Sequence, residues 1–255
     1  MREIRAGLRL QLALFRRNPG HLLIFVTIPF FAAIFLSGIQ EAGKESLVGY
    51  AVLAPAMIGT WGVSLDLGGS IIDSERSLHT FELLVVAPCS FLRVFTGRVL
   101  TITVVGMLTF VETIAFARLA FGIDVHVAQP AVLAATLVVT GVALAGTSAA
   151  MSAIFIAARD ARRFANALGY PFYILGGILV PITLLPVWVR PLSWLTYLYW
   201  SAGLLRASLS PRPVTELGGR LLAVLVLGAI SYFIGLYFTR RVINSLRREG
   251  VIGLS

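Results

Sequence analysis

This chain has little charge. Of its 255 residues, 13% are Asp, Glu, Lys or Arg and 58% are hydrophobic. A soluble domain of this length carries about a quarter charged residues, so an ordinary water-soluble fold is excluded. Cysteine is confined to Cys89, which rules out an intrachain disulfide and leaves the redox compartment open. The three histidines, His21, His79 and His126, are scattered, and none stands in an H-E-x-x-H pattern. C-x-x-C and G-x-S-x-G are missing too, so zinc-hydrolase, thioredoxin-like and serine-hydrolase chemistry have nothing to build on. No catalytic residue, metal or resident cofactor is expected.

A phosphate-binding loop is also lacking. The stretch "GIQEAGKES", from Gly38 to Ser46, comes near the pattern G-x-x-x-x-G-K-[ST]. Glu45 stands where the magnesium-binding hydroxyl belongs. The stretch also follows an apolar helix, whereas the loop needs a strand before it. It reads as a polar turn. If transport here is driven by ATP, the ATPase must be another chain.

What the chain does have is apolar runs of roughly 20 residues, the length that crosses a bilayer core of about 30 Å. The expected fold is an all-α integral membrane protein, a single transmembrane domain over residues 1–255. Six transmembrane helices are expected, at about 21–39, 47–72, 99–121, 130–158, 165–185 and 220–239. An even number puts both termini on one side. That side holds fifteen basic residues, from Arg2 and Arg5 at the start to Arg247 and Arg248 at the end. The other holds six: Lys44, Arg118, Arg190, Arg206, Arg212 and Arg220. The positive-inside rule makes the first side cytoplasmic. The net charge of +9 therefore reads as topology, with membrane lipid rather than nucleic acid as its partner.

Residues 1–19, "MREIRAGLRLQLALFRRNP", lack the compact apolar run and cleavage site of a signal peptide. Ile4, Leu8, Leu12 and Phe15 fall on one helical face, and an interfacial helix on the inner leaflet is expected. Residues 186–219 are too apolar for a solvent loop and are broken by proline. Trp188, Trp194, Tyr197, Tyr199 and Trp200 there are interface-seeking aromatics. An outer re-entrant helical hairpin is expected, against the alternative of one further span at about 187–205. In the fourth span, Gly141, Ala145, Ala149 and Ala153 form a small-residue stripe, with Gly146 and Ala150 alongside, a signal for close helix packing.

Two carboxylates fall at membrane depth, Asp66 in the inner part of the second span and Glu112 in the outer half of the third. Such groups usually face a bundle interior or an aqueous path. They are candidate transport-path residues or proton-linked carboxylates, and the other reading is a satisfied buried carboxyl.

The segment 73–98 lies between two spans on the inner side. Glu75, His79 and Glu82 recur at helical spacing as one polar face, Leu78, Phe81 and Val85 as an apolar one, and Pro88 ends the element. A helix of this kind can lie along the membrane and show its charged face to a cytoplasmic partner, or simply anchor the loop. "ERSLHTFELLVVAPCS" resembles the cytoplasmic segment of ABC-2 type transporter permeases, whose usual form is E-R-E-x-G-T-L-E-L-L followed by P-x-S. Glu75, Arg76, Thr80, Glu82, Leu83, Leu84, Pro88 and Ser90 match, while Ser77 and His79 depart. "RRNP" resembles the family's R-x-P entry. Gly176, Gly177, Pro181 and Pro186–Trp188 resemble its G-G…P…L-P-x-W signature. Leu195, Thr196 and Tyr197 match its N-P-L-T-Y, and Arg206 a frequent downstream arginine.

The resemblance implies the membrane subunit of a bacterial exporter of drugs, polyketides, lipids or glycans in the cytoplasmic (inner) membrane, multi-pass, with both termini cytoplasmic. It implies two permease subunits, as homodimer or heterodimer, and two separate ABC ATPase chains that bind the ATP. Asp73, Glu75, Arg76, His79, Thr80 and Glu82 would then be the ATPase-coupling residues of a cytoplasmic coupling helix. The absence of a large outer domain favours a hydrophobic or amphipathic small molecule, lipid or lipid-linked glycan as cargo. The alternatives are an ATP-independent, proton-coupled secondary transporter that uses Asp66 or Glu112, and a membrane enzyme or assembly factor acting on lipids.

Overall fold

A computed structural model describes residues 2–249 apart from 19, 21–22, 42, 44–46, 70, 72–90 and 158–160. Every regular element among the described residues is helical, the form in which a single segment meets all its own backbone hydrogen bonds without water. In chain order the helices are α1 (Arg2–Arg17), α2 (Ile24–Glu41), α3 (Val48–Gly69), α4 (Phe91–Phe121), α5 (Pro130–Ala157), α6 (Ala161–Leu175), α7 (Arg190–Trp194), α8 (Tyr197–Ser208) and α9 (Leu217–Glu249). A short 3-10 turn covers Ile182–Leu184.

Five described helices are long and apolar enough to cross a membrane: Ile24–Glu41, Val48–Gly69, Leu92–Phe121, Pro130–Ser152 and Leu217–Arg241. They correspond to the first four expected spans and the last. The fifth expected span, at about 165–185, differs. Its helix α6 has 15 residues, a rise of about 23 Å at 1.5 Å per residue, short of the roughly 30 Å core. The helix stops because Gly177 adopts φ +64°. Its N–H bonds to the carbonyl of Ile174, and the Ile178 N–H to that of Tyr173. This is the Schellman ending that glycine permits without a Cβ penalty.

The alternative of one further span at about 187–205 is not what the structure holds: no described helix there is long enough to cross a membrane. Two short helices, α7 of five residues and α8 of 12, stand there instead. Pro191 occupies the first turn of α7, where its missing N–H costs nothing. Trp188 and Trp194 are exposed, but Leu198, Leu204 and Leu205 of α8 are fully buried. The segment thus returns into the bundle, against α5, α9 and α3.

α3 is the central helix, and sixteen of its residues are buried. It packs on α2, α4, α5, α6 and α8. α1 lies across the start of α4 by one face and leaves most of the expected apolar face uncovered. Gly7, Gln11 and Phe15 are buried, while Leu8 and Leu12 are exposed. Backbone contact decides this. A Cβ on Gly7 would meet the Val94 carbonyl at 2.1 Å, and one on Gly97 the Ile4 carbonyl at 2.2 Å, so the glycine side of α1 sits against α4. Arg98 Nε donates to Gln11 Oε1 at 2.9 Å across the same contact.

The small-residue stripe of α5 divides its work. Gly141 faces Met107 and Thr103 of α4, and Ala145 and Ala149 join the cluster around Phe95, Val99 and Ile102. Gly146 and Ala150, alongside the stripe, meet the backbone of α9 around Gly228 and Gly235.

Candidate functional site

Three places bring polar or aromatic chemistry together. The first is the junction of α6 and α8. The turn at Gly177 leaves that residue's carbonyl free of the helix, and Arg206 Nη1 donates to it at 2.7 Å. Arg206 Nε donates to the Ala202 carbonyl one turn back at 3.0 Å. The guanidinium also lies 4.3 Å from the centre of the Tyr50 ring, a cation–π contact that ties α3 in. Burial lowers the Arg206 pKa from its ordinary value, but an arginine starts so high that it stays a cation.

Arg206, Tyr50, Asp124, His126 and Ser210 line a cavity of about 320 Å³ there. The chain after α8 is tied down by Gln129, whose amide donates to the carbonyls of Ser210 at 2.9 Å and Arg212 at 2.6 Å. The Gln129 N–H bonds to the Ser208 carbonyl at 2.9 Å. Asp124 is engaged by Arg118 at 3.2 Å in an exposed pair, so it does not neutralise Arg206.

The second place is the bundle centre. Trp61 of α3 lies 5.0 Å from the Phe172 ring and 6.0 Å from Tyr197. Thr147 donates to the Tyr197 hydroxyl at 3.1 Å, and Thr140 and Ser201 share a bond of 2.8 Å. Tyr197, expected to seek the interface, is thus a core anchor that joins α8 to α3 and α5. The indole Nε1 of Trp61 and the hydroxyl of Ser64 are buried without a partner among the described residues. Along α3 and α4, Thr60 and Thr109 are joined at 2.8 Å.

The third place is a groove of about 520 Å³ lined by Phe15 of α1, Phe25 of α2 and Val105, Leu108, Val111 and Glu112 of α4. The Glu112 Oε2 is buried and has no hydrogen-bond partner among the described residues.

The two carboxylates expected at membrane depth are not brought together. Asp66 does not line the Glu112 groove. It is exposed, on the one face of α3 where Ile58 and Gly62 are also incompletely covered. The Tyr173 hydroxyl approaches the Ile58 carbonyl at 3.4 Å on that face, and Ile24 of α2 borders Gly62. Consecutive residues Ile24 and Phe25 thus face the two different carboxylate surroundings. Asp73, Glu75, Arg76, His79, Thr80 and Glu82 lie outside the described residues. Arg206, Gly176 and Gly177, read from the sequence as parts of separate motifs, meet at one turn. Gln129 and Trp61 went unread. A polar residue directly before the helix-starting Pro130 was the available signal for Gln129.

Among the described residues no group of His, Cys, Asp or Glu could hold a metal ion. No curated protein matches the chain. The family model described as ABC-2 type transporter matches residues 2–210, which takes in α1 through α8 and leaves α9 beyond the match. With at least five apolar membrane-length helices and most of its length in that match, the chain belongs to the ABC-2 type transporter family of multi-pass membrane proteins.

Proposed function

We propose that this chain is the permease subunit of an ATP-driven exporter. It works with two copies of a separate ABC ATPase and with a second permease subunit, in a bacterial cytoplasmic membrane with both termini cytoplasmic. The observation that carries the reading is the family match over residues 2–210. The lack of any phosphate-binding loop in the sequence supports an energy source on another chain. The segment from Asp73 to about Val85 is the coupling helix, with Asp73, Glu75, Arg76, His79, Thr80 and Glu82 contacting the ATPase. A cargo that is hydrophobic or amphipathic suits a chain with no large outer domain.

The α6–α8 junction supports an outer-gate role for residues 186–219. Its re-entrant helices would cap the exit, with Arg206 fixing α8 to the end of α6. Asp66 and Glu112 each belong to a candidate stretch of transport path, in separate surroundings.

Reversing both charges in Glu75→Lys with Glu82→Lys should uncouple ATP hydrolysis by the co-purified ATPase from export, while membrane insertion stays intact. Unchanged export would count heavily against the docking role. Repeated purification in mild detergent without any ATPase subunit would sink the ATP-driven reading. It would favour the second one, a proton-coupled carrier, for which the unpartnered Glu112 carboxyl speaks.

A further inference from the structure

The geometry points to a lateral binding site for a lipophilic monovalent cation in the groove between α1, α2 and α4, with Glu112 as its counter-ion. The groove's volume of about 520 Å³ lies in the range of small-molecule sites. Its lining is apolar except for a single acid, and that acid's Oε2 is buried with no hydrogen-bond partner among the described residues.

None of the residues that line the groove is a cation. Arg118, the next basic residue along α4, is paired with Asp124 at 3.2 Å. Toward the other end of α4, Arg93 is paired with Glu3 at 3.0 Å, and Arg98 holds Gln11 at 2.9 Å. Glu112 stands six residues from Arg118 and 14 from Arg98, about 9 Å and about 21 Å along the helix. Arginines mark the two ends of the span and the carboxyl sits well inside it.

The groove opens toward lipid rather than water. Val104, Leu108 and Val111 are 64%, 51% and 66% exposed, and Val26 and Phe30 of α2 are exposed beside them. A carboxylate at that depth is costly unless neutralised, and an arriving cation neutralises it. A metal ion would need further ligands that the lining does not offer. An anion would be repelled. The rings of Phe15 and Phe25 lie along the same groove and suit both a cation and an aromatic or aliphatic body. The occupant this chemistry selects is amphiphilic, with one positive charge on an apolar frame, and it enters sideways from the bilayer.

This deepens the exporter reading by giving its cargo a charge, and it rests on that reading for the transport step alone. Binding can be measured on the permease without an ATPase, so a failure here leaves the exporter assignment intact. The probe is radiolabelled tetraphenylphosphonium, with tetraphenylborate as the same shape of opposite sign, on the full chain in nanodiscs of phosphatidylcholine. Saturable binding of the phosphonium is expected, at least tenfold tighter than that of the borate. Glu112→Gln should weaken it at least tenfold and leave the borate unchanged. Leu108→Trp, which fills the groove and keeps the acid, should also abolish saturable binding, and it carries the test alone if Glu112→Gln fails to insert. Equal phosphonium binding by wild type and either inserted variant would overturn the site, as would equal binding of the two ions. A shift from dimer to monomer in native mass spectrometry of Leu108→Trp would also overturn it, by making the groove a contact between copies.

Discussion

Arg206 on α8 donates to the carbonyl of Gly177, 29 positions earlier in the chain, at 2.7 Å. The two depend on each other. Gly177 turns the chain out of α6 at φ +64° and so presents a carbonyl that no helix bond consumes. Arg206 is a half-buried cation with no carboxylate partner among the described residues, and it needs acceptors from the backbone and a ring face. The Gly177 carbonyl, the Ala202 carbonyl and Tyr50 supply them.

Replacing either member should therefore loosen the same junction. Arg206→Ala removes a charge-assisted bond of about 1.5–3 kcal/mol. In a chain of this size that lowers the detergent melting midpoint by about 3–12 °C. Arg206→Lys should recover less than half of it, because a single ammonium cannot span both carbonyls and lie flat on Tyr50. Gly177→Ala incurs about 1–2 kcal/mol for the left-handed backbone, and its Cβ would also meet Ile182 at 2.9 Å. The double variant should lose less than the sum. Full additivity in a thermal double-mutant cycle would show that the bond does not couple the two elements.

The contact between α5 and α9 gives a pair of substitutions with opposite signs. A Cβ on Gly228 would stand 2.5 Å from the Ala143 Cα, a backbone atom that cannot move aside. Gly228→Ala should destabilise by about 1–3 kcal/mol through overpacking. Gly218 lies in the same helix with nothing within 4 Å. Gly218→Ala should stabilise by about 0.5–1 kcal/mol, since alanine orders a helix at less entropic cost. Both are read by thermal unfolding in one detergent, and two changes of the same sign would contradict the packing argument.

Much of this was legible in the sequence, and the part that was not has a physical reason. Spans declare themselves because about 20 apolar residues in a row have one use, and α2 to α5 and α9 fall where expected. α6 misled because the run from Tyr170 through Leu185 is apolar throughout, and hydropathy does not register that Gly176 and Gly177 end the helix. Tyr197 misled in the opposite way. Aromatics near a span end commonly seek the interface, but its hydroxyl has a buried partner in Thr147, and that partner is 50 residues away. On α1 the expected apolar face keeps Leu8 and Leu12 exposed, while the close backbone approach at Gly7 leaves no mark in hydropathy. Asp66 and Glu112 were found by rarity alone, which identifies an unusual residue and says nothing about which way it faces.

The facing of Asp66 yields the last prediction. On α3 nearly every residue is buried, yet Asp66 is exposed while Ser64, two positions earlier, is 0% exposed. Residues two apart on a helix point about 200° apart, so the contrast reports one open face rather than a frayed end. Cys89 is the only native cysteine, so Cys89→Ser provides a clean background for labelling. In that background a cysteine placed by Asp66→Cys should react with a charged maleimide in inside-out vesicles at least tenfold faster than one placed by Ser64→Cys. Blocking by a lipid-soluble maleimide alone would put the Asp66 face against lipid instead of water. That outcome would remove Asp66 from any aqueous path, and with it the physical basis for treating its carboxylate as part of a transport route.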